Sequence, residues 1–154
     1  MSSVYIHYGS KEFDEARFQP IKNHEIMAKP EGGLWASQVG CEFGWKEWCE
    51  SSKFKECTEE NSFTFTLAEN ANILYINSVD DLEPLPKTKS ILPDSISAWV
   101  TLDFEALMKD GVDAIQVDMS NEVCSDYLNR LHYKLYGWDC DSILILNKDV
   151  IITQ

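Results

Sequence analysis

Three observations on the 154-residue sequence predict an α+β fold. Short strand-like stretches outnumber helical ones, and the two kinds are mixed without a regular β-α alternation. The composition is that of a folded chain: 44% hydrophobic and 25% charged residues, ordinary values for a globular domain. A single domain over residues 1–154 accounts for the length. At this size one core buries roughly two-thirds of the surface that the unfolded chain exposes.

The elements follow in order. Val4 to Tyr8 predicts a first strand. Trp45, Trp48, Cys49 and Ser52 recur at spacings of three and four, which predicts a short amphipathic helix over Trp45 to Phe54. Ser62 to Leu67 sets Phe63, Phe65 and Leu67 against Ser62, Thr64 and Thr66, the clearest period-two strand signal in the chain. Asn72 to Asn77 predicts the next strand. Asp80 to Asp94 carries Pro84, Pro86 and Pro93, a density that blocks helix and strand alike and predicts a long surface connection. Asp103 to Lys109 predicts a helix stopped at Gly111. Asp113 to Asp118 alternates like a strand, and Glu122 to Leu135 predicts a helix. Ser142 to Leu146 predicts a buried strand, followed by a turn at Asn147-Lys148.

Charge excludes one class of function. There are 26 acidic against 13 basic side chains, a net charge of −13. Neutralising phosphates needs a surplus of Lys and Arg, so a general nucleic-acid binder is not expected, whereas a partner with a basic face is. No apolar run approaches the roughly 20 residues of a membrane span. The opening residues lack the basic and apolar regions of a signal peptide. Cys41, Cys49, Cys57, Cys124 and Cys140 are an odd set without a C-x-x-C pair, and His24 and His132 are not paired with any of them. The expectation is a cytoplasmic chain with reduced thiols and no metal site.

Chemistry is concentrated in three places. In Tyr5-Ile6-His7-Tyr8-Gly9-Ser10 a histidine ends a strand before a small turn, where a ligand can approach the backbone. The plainer alternative is a strand-end histidine bonded to a carbonyl. In Lys29-Pro30-Glu31-Gly32-Gly33-Leu34-Trp35-Ala36-Ser37 a flexible Gly-Gly turn enters a strand, and Trp35 offers an indole face to a planar ring. The alternative is a core tryptophan behind an ordinary turn. In Tyr136-Gly137-Trp138-Asp139-Cys140-Asp141-Ser142-Ile143-Leu144-Ile145-Leu146-Asn147 two carboxylates, Asp139 and Asp141, stand before an apolar strand, two residues apart and so on one side of an extended segment. Charges at the mouth of a buried strand are usually solvated ends or helix caps, and a site is the sharper alternative.

In this order the three short, discontinuous blocks resemble the ADP-ribosyltransferase superfamily. More narrowly they resemble its diphtheria-toxin and poly(ADP-ribose)-polymerase branch, whose triad is His, Tyr and Glu. The resemblance implies an α+β domain with a split, mostly antiparallel β core and a few short helices. It implies NAD as co-substrate, bound by His7, Tyr8, Gly9, Ser10, Gly33, Leu34, Trp35, Ala36 and Ser37. His7 matches the motif histidine that hydrogen-bonds the ribose next to nicotinamide, and Ser10 falls near the carboxamide end. Trp35 falls where an aromatic stacks on nicotinamide. Asp141 falls at the catalytic glutamate, with Asp139 in reserve and Gln116 placed along the same cleft. Three departures stand out: Tyr8 between His7 and Gly9, Trp for Tyr, and an Asp one methylene shorter than Glu.

The implied reaction transfers ADP-ribose to a macromolecule with release of nicotinamide. A carboxylate would stabilise the oxocarbenium-like ribosyl centre, and orientation would supply most of the rate. The acidity suits a protein target with a basic surface, such as a nucleic-acid-binding host or defence factor. Small acidic transferases of this kind resemble effectors carried by phages or mobile elements, acting in the host cytoplasm. Two other readings stand beside it: an acidic, non-catalytic inhibitor that mimics nucleic acid, and a degenerate homologue that binds a nucleotide without transfer.

Overall fold

The computed structural model describes residues 2–89, 91–93, 99–119 and 130–153. Its frame is a seven-stranded sheet: β1 (Tyr5–Tyr8), β2 (Leu34–Gln38), β3 (Ser62–Leu67), β4 (Ile73–Ile76), β5 (Ala114–Val117), β6 (Ser142–Ile145) and β7 (Ile151–Thr153). The strand order is β4-β5-β6-β2-β1-β3-β7. Only β4 and β5 run parallel; every other pairing is antiparallel. Three helices accompany the described part of the sheet, α1 (Trp45–Ser52), α2 (Phe104–Lys109) and α3 (Leu131–Lys134). The α+β expectation therefore holds.

Alternation on the central strands explains why both faces are covered. On β6 and the residue after it, Ile143 and Ile145 feed one core with Tyr5, Ala36, Phe63, Phe65 and Ala114. Leu144 and Leu146 feed the other, with Ile115, Phe104, Leu107, Leu131, Leu135 and Trp138. All four of these residues are fully buried, each stabilising the fold by roughly 1.5–3 kcal/mol.

Local chemistry sets the helix ends. The Asp103 carboxylate accepts the Ala106 N–H (3.0 Å) and starts α2, and Gly111, at φ +90°, lets the chain turn away after it. α1 stops at Ser52, two residues before the expected end, because Lys53 adopts the left-handed conformation. Two further expectations are corrected. The stretch from Asp80 is not purely a surface connection: a 3-10 turn over Val79–Leu82 buries Leu82. The Lys87 ammonium donates to the carbonyls of Leu82, Glu83 and Leu85 (2.8–3.0 Å), holding that turn in place of regular pairing. The edge strand β7 was not expected, three residues being too few to show a period. Of the helix expected over Glu122 to Leu135, the part before residue 130 lies outside the described residues, as does Cys124. The other four cysteines are free thiols. No helix among the described residues is long and apolar enough to cross a membrane.

Candidate functional site

A gap in the sheet creates the site. β1 pairs with β3 from Tyr5 through Tyr8, but with β2 only at Tyr5–Gln38 and Ile6–Ser37. At the opening, His7 Nδ1 donates to the carbonyl of Trp35 at 2.6 Å. A carbonyl only accepts, so the proton sits on Nδ1 and Nε2 carries the free lone pair. Burial holds the imidazole pKa below its usual value, and Lys55 pushes the same way against the opposing Trp35 bond. His7 is thus neutral at pH 7, an acceptor at Nε2. Its ring lies 5.2 Å from that of Phe63. Gly9, at φ +130°, keeps the space beside Nε2 clear: a side chain there would stand 3.5 Å away.

His7 divides two adjoining hollows. One, of about 280 Å³, is lined by Tyr8, Lys29, Gly33, Leu34, Trp35, Trp45, Phe54 and Lys55 as well as His7. The other, of about 240 Å³, runs over Gly9, Ser10 and Phe13 to Arg17. In the first hollow the Lys29 ammonium sits 4.5 Å from the centre of the Trp35 ring and 5.0 Å from that of Trp45. Burial lowers the Lys29 pKa, Asp139 opposes that, and Lys55 adds to it. The two indoles meet edge to face at 6.1 Å, and buried Trp138 supports Trp35 at 4.6 Å. The Trp45 indole N–H is buried without a partner, a state that costs about 1–3 kcal/mol when left unmet.

The two glycines before β2 have a different task from the flexible hinge expected of them. Gly33 stands at φ +73°, and a side chain there would come within 2.8 Å of the Ile145 carbonyl and the Ile21 side chain. Its N–H donates to Gln19 at 2.9 Å. A side chain on Gly32 would collide with the Pro20 carbonyl. The turn is pinned to its neighbours, which fixes where Trp35 enters the cleft.

Asp141 lies elsewhere. It stands just before β6, two strands from His7 and so roughly 10 Å across the sheet. It lines a cleft with Gln38, Cys41, Glu42, Gln116 and Asp118. Its carboxylate accepts the Met119 N–H at 2.8 Å. Burial raises its pKa, and Asp118 and Glu42 add to the rise. Asp139 does not share that environment: burial raises its pKa while Lys29 and His132 lower it. The chain bends at Cys140 and Asp141, so the spacing of two does not give the pair one set of neighbours.

The structure thus brings His7, Tyr8, Gly33, Leu34 and Trp35 to one hollow, with Gly9 and Ser10 in the adjoining one. Gly9 spends its N–H on the Asn61 carbonyl, and Ser10 donates to Glu12. Ala36 is fully buried and Ser37 nearly so, so neither has surface to offer a ligand. Ser37 has another part. Its hydroxyl accepts the Trp45 N–H and donates to the Asp141 carbonyl, both at 2.9 Å. Gln116 does share a cleft with Asp141, as placed, and also accepts from Tyr5 and donates to Gln38. Sequence reasoning missed Trp45, Phe54 and Lys55, and gave no role to Lys29 at the head of the second block. Trp45 had been read as helix packing, and nothing in the spacing of the two lysines pointed to a shared cleft.

Fold and site together define an α+β protein with an aromatic, lysine-bearing cleft where its two central antiparallel strands part. No protein-family model, curated protein or solved structure matches the chain.

Proposed function

We propose that the chain is an NAD-dependent ADP-ribosyltransferase whose substrate enters the cleft beside His7. One observation carries the reading. In a chain of net charge −13, the charged lining of the 280 Å³ hollow is two lysines with no carboxylate, set among two indoles, a phenyl ring and a neutral imidazole. That lining suits a planar ring joined to phosphates. Lys29 and Lys55 face the pyrophosphate, and His7 Nε2 accepts a ribose hydroxyl. The bond from ribose C1′ to nicotinamide breaks, nicotinamide leaves with the electron pair, and the acceptor bonds C1′ as it loses its proton. The stabilising carboxylate is assigned to Asp141, whose main-chain carbonyl is tied to the Trp45 backbone through Ser37 while its side chain opens into the neighbouring cleft. Asp139, in electrostatic reach of Lys29, is the reserve. The target is a protein with a basic surface, matched to the acidity of the rest of the chain, and the setting is the cytoplasm.

A second reading, nucleotide binding without transfer, is favoured by the Asp141 side chain facing a different cleft and bonding Met119. Incubation with labelled NAD and a lysate separates the two. Wild type transfers label and releases nicotinamide, and His7→Ala cuts both at least tenfold. Loss in Asp141→Ala but not Asp139→Ala assigns the acid; the converse moves it to Asp139. Label that survives all three substitutions sinks the site. NAD at a hundred times its Kd adds about 2.7 kcal/mol of stability; that shift without nicotinamide release establishes the binding protein instead.

A further inference from the structure

We infer that Lys29 is a displaceable occupant of the indole pair, so that this one side chain makes the cleft favour phosphorylated planar ligands over uncharged ones. The inference rests on the cleft being a ligand site, as proposed above. The ammonium lies against the two indole rings at 4.5 and 5.0 Å, and the Trp35 ring has buried Trp138 as a further neighbour at 4.6 Å. A ring that stacks on Trp35 from the cleft must therefore take the place Lys29 holds. An uncharged ring gives Lys29 nothing in return for its lost cation–π contacts. A phosphate does: the four-carbon stem is flexible, Lys55 lines the same hollow, and an anion between the two ammonium groups relieves their repulsion. Asp139 is the acid that already attracts Lys29.

The test measures binding of nicotinamide and of AMP to the full chain by calorimetry, for wild type, Lys29→Ala and the longer, uncharged Lys29→Gln. Melting curves establish that each variant is folded. Removing the ammonium opens the indole face and deletes a phosphate partner, so the two affinities move in opposite directions. Nicotinamide binds about three- to tenfold tighter, and AMP about tenfold weaker. The crossing in either variant supports the inference. Affinities that move together, that do not move, or that are undetectable for both probes in every protein overturn it. Its failure is distinct from that of the transferase reading. A chain that shows the crossing yet releases no nicotinamide from NAD keeps the displaceable lysine and loses the reaction. Turnover without the crossing does the reverse.

Discussion

The two ends of β2 face opposite chemistries. At its start, Leu34 and Trp35 line a hollow of aromatic rings whose charged groups are Lys29 and Lys55. At its end, Gln38 lines a cleft whose charged groups are Glu42, Asp118 and Asp141, with no basic or aromatic side chain. Twice as many acids as bases would put carboxylates into both clefts if charge were spread evenly. The difference teaches that −13 is a poor description of any one place on the molecule. An anionic ligand is drawn to one end of the strand and repelled from the other. It also shows what the transferase reading demands: a carboxylate beside the ring-binding hollow, whereas the Asp141 side chain opens into the neighbouring cleft and only its main-chain carbonyl is tied, through Ser37, to the Trp45 backbone.

The largest break of the comparison comes from the turn that aims β2. Gly33→Ala puts a side chain at positive φ, 2.7–2.8 Å from the Leu144 and Ile21 side chains and the Ile145 carbonyl. Left-handed strain of roughly 1–2 kcal/mol and overpacking of roughly 1–3 kcal/mol add, so urea titration shows a loss of about 2–5 kcal/mol. A loss under 1 kcal/mol means that the turn is free to shift and does not position Trp35.

Ser37→Ala sharpens the comparison by cutting its link. The hydroxyl serves Trp45 N–H at one cleft and the Asp141 carbonyl at the other, and both lose a buried partner at once. The expected destabilisation is about 1–3 kcal/mol. Asp141→Asn changes the side chain and leaves in place the main-chain carbonyl that Ser37 bonds. If the clefts are coupled beyond that one bond, Ser37→Ala and Asp141→Asn in combination depart from additivity by about 0.5 kcal/mol or more. Strict additivity leaves the clefts independent.

Much of this was legible in the sequence, and the gaps have physical causes. Ser62–Leu67 came out with its bounds unchanged because one face is buried and the other polar, so its period is intact. Gly111 marked the end of α2 by cap chemistry that is local in sequence, and the expected start at Asp103 is the residue that caps it. His7 and Trp35 were found as members of one site, though they stand 28 residues apart and meet through a backbone carbonyl. Lys29 headed the second block yet carried no role, because a lysine folded over two indoles reads in sequence like any surface lysine. The shared side expected for Asp139 and Asp141 failed for a related reason. Alternation needs an extended chain, and the bend at Cys140 and Asp141 breaks it.

The smallest expected effect tests the contrast by pH alone. His7 has a depressed pKa in the folded state, so the unfolded chain binds its proton more readily. The stability it contributes is present above the unfolded value of about 6.5 and is lost as pH falls through the folded value. Asp141 is raised, and its sign is the reverse: its contribution is complete below about 3.9 and is lost as pH rises through the folded value. Urea titrations from pH 5 to 7 on wild type and His7→Gln isolate the first. The difference in stability between them grows in wild type's favour toward pH 7, and the variant has the flatter profile. Titrations from pH 3.5 to 6 on Asp141→Asn isolate the second, where the variant gains on wild type as pH rises. Burial is the first cause of both shifts and by itself gives an imidazole and a carboxyl opposite slopes. Two slopes of the same sign would therefore mean that one of the two groups is not desolvated in the folded chain.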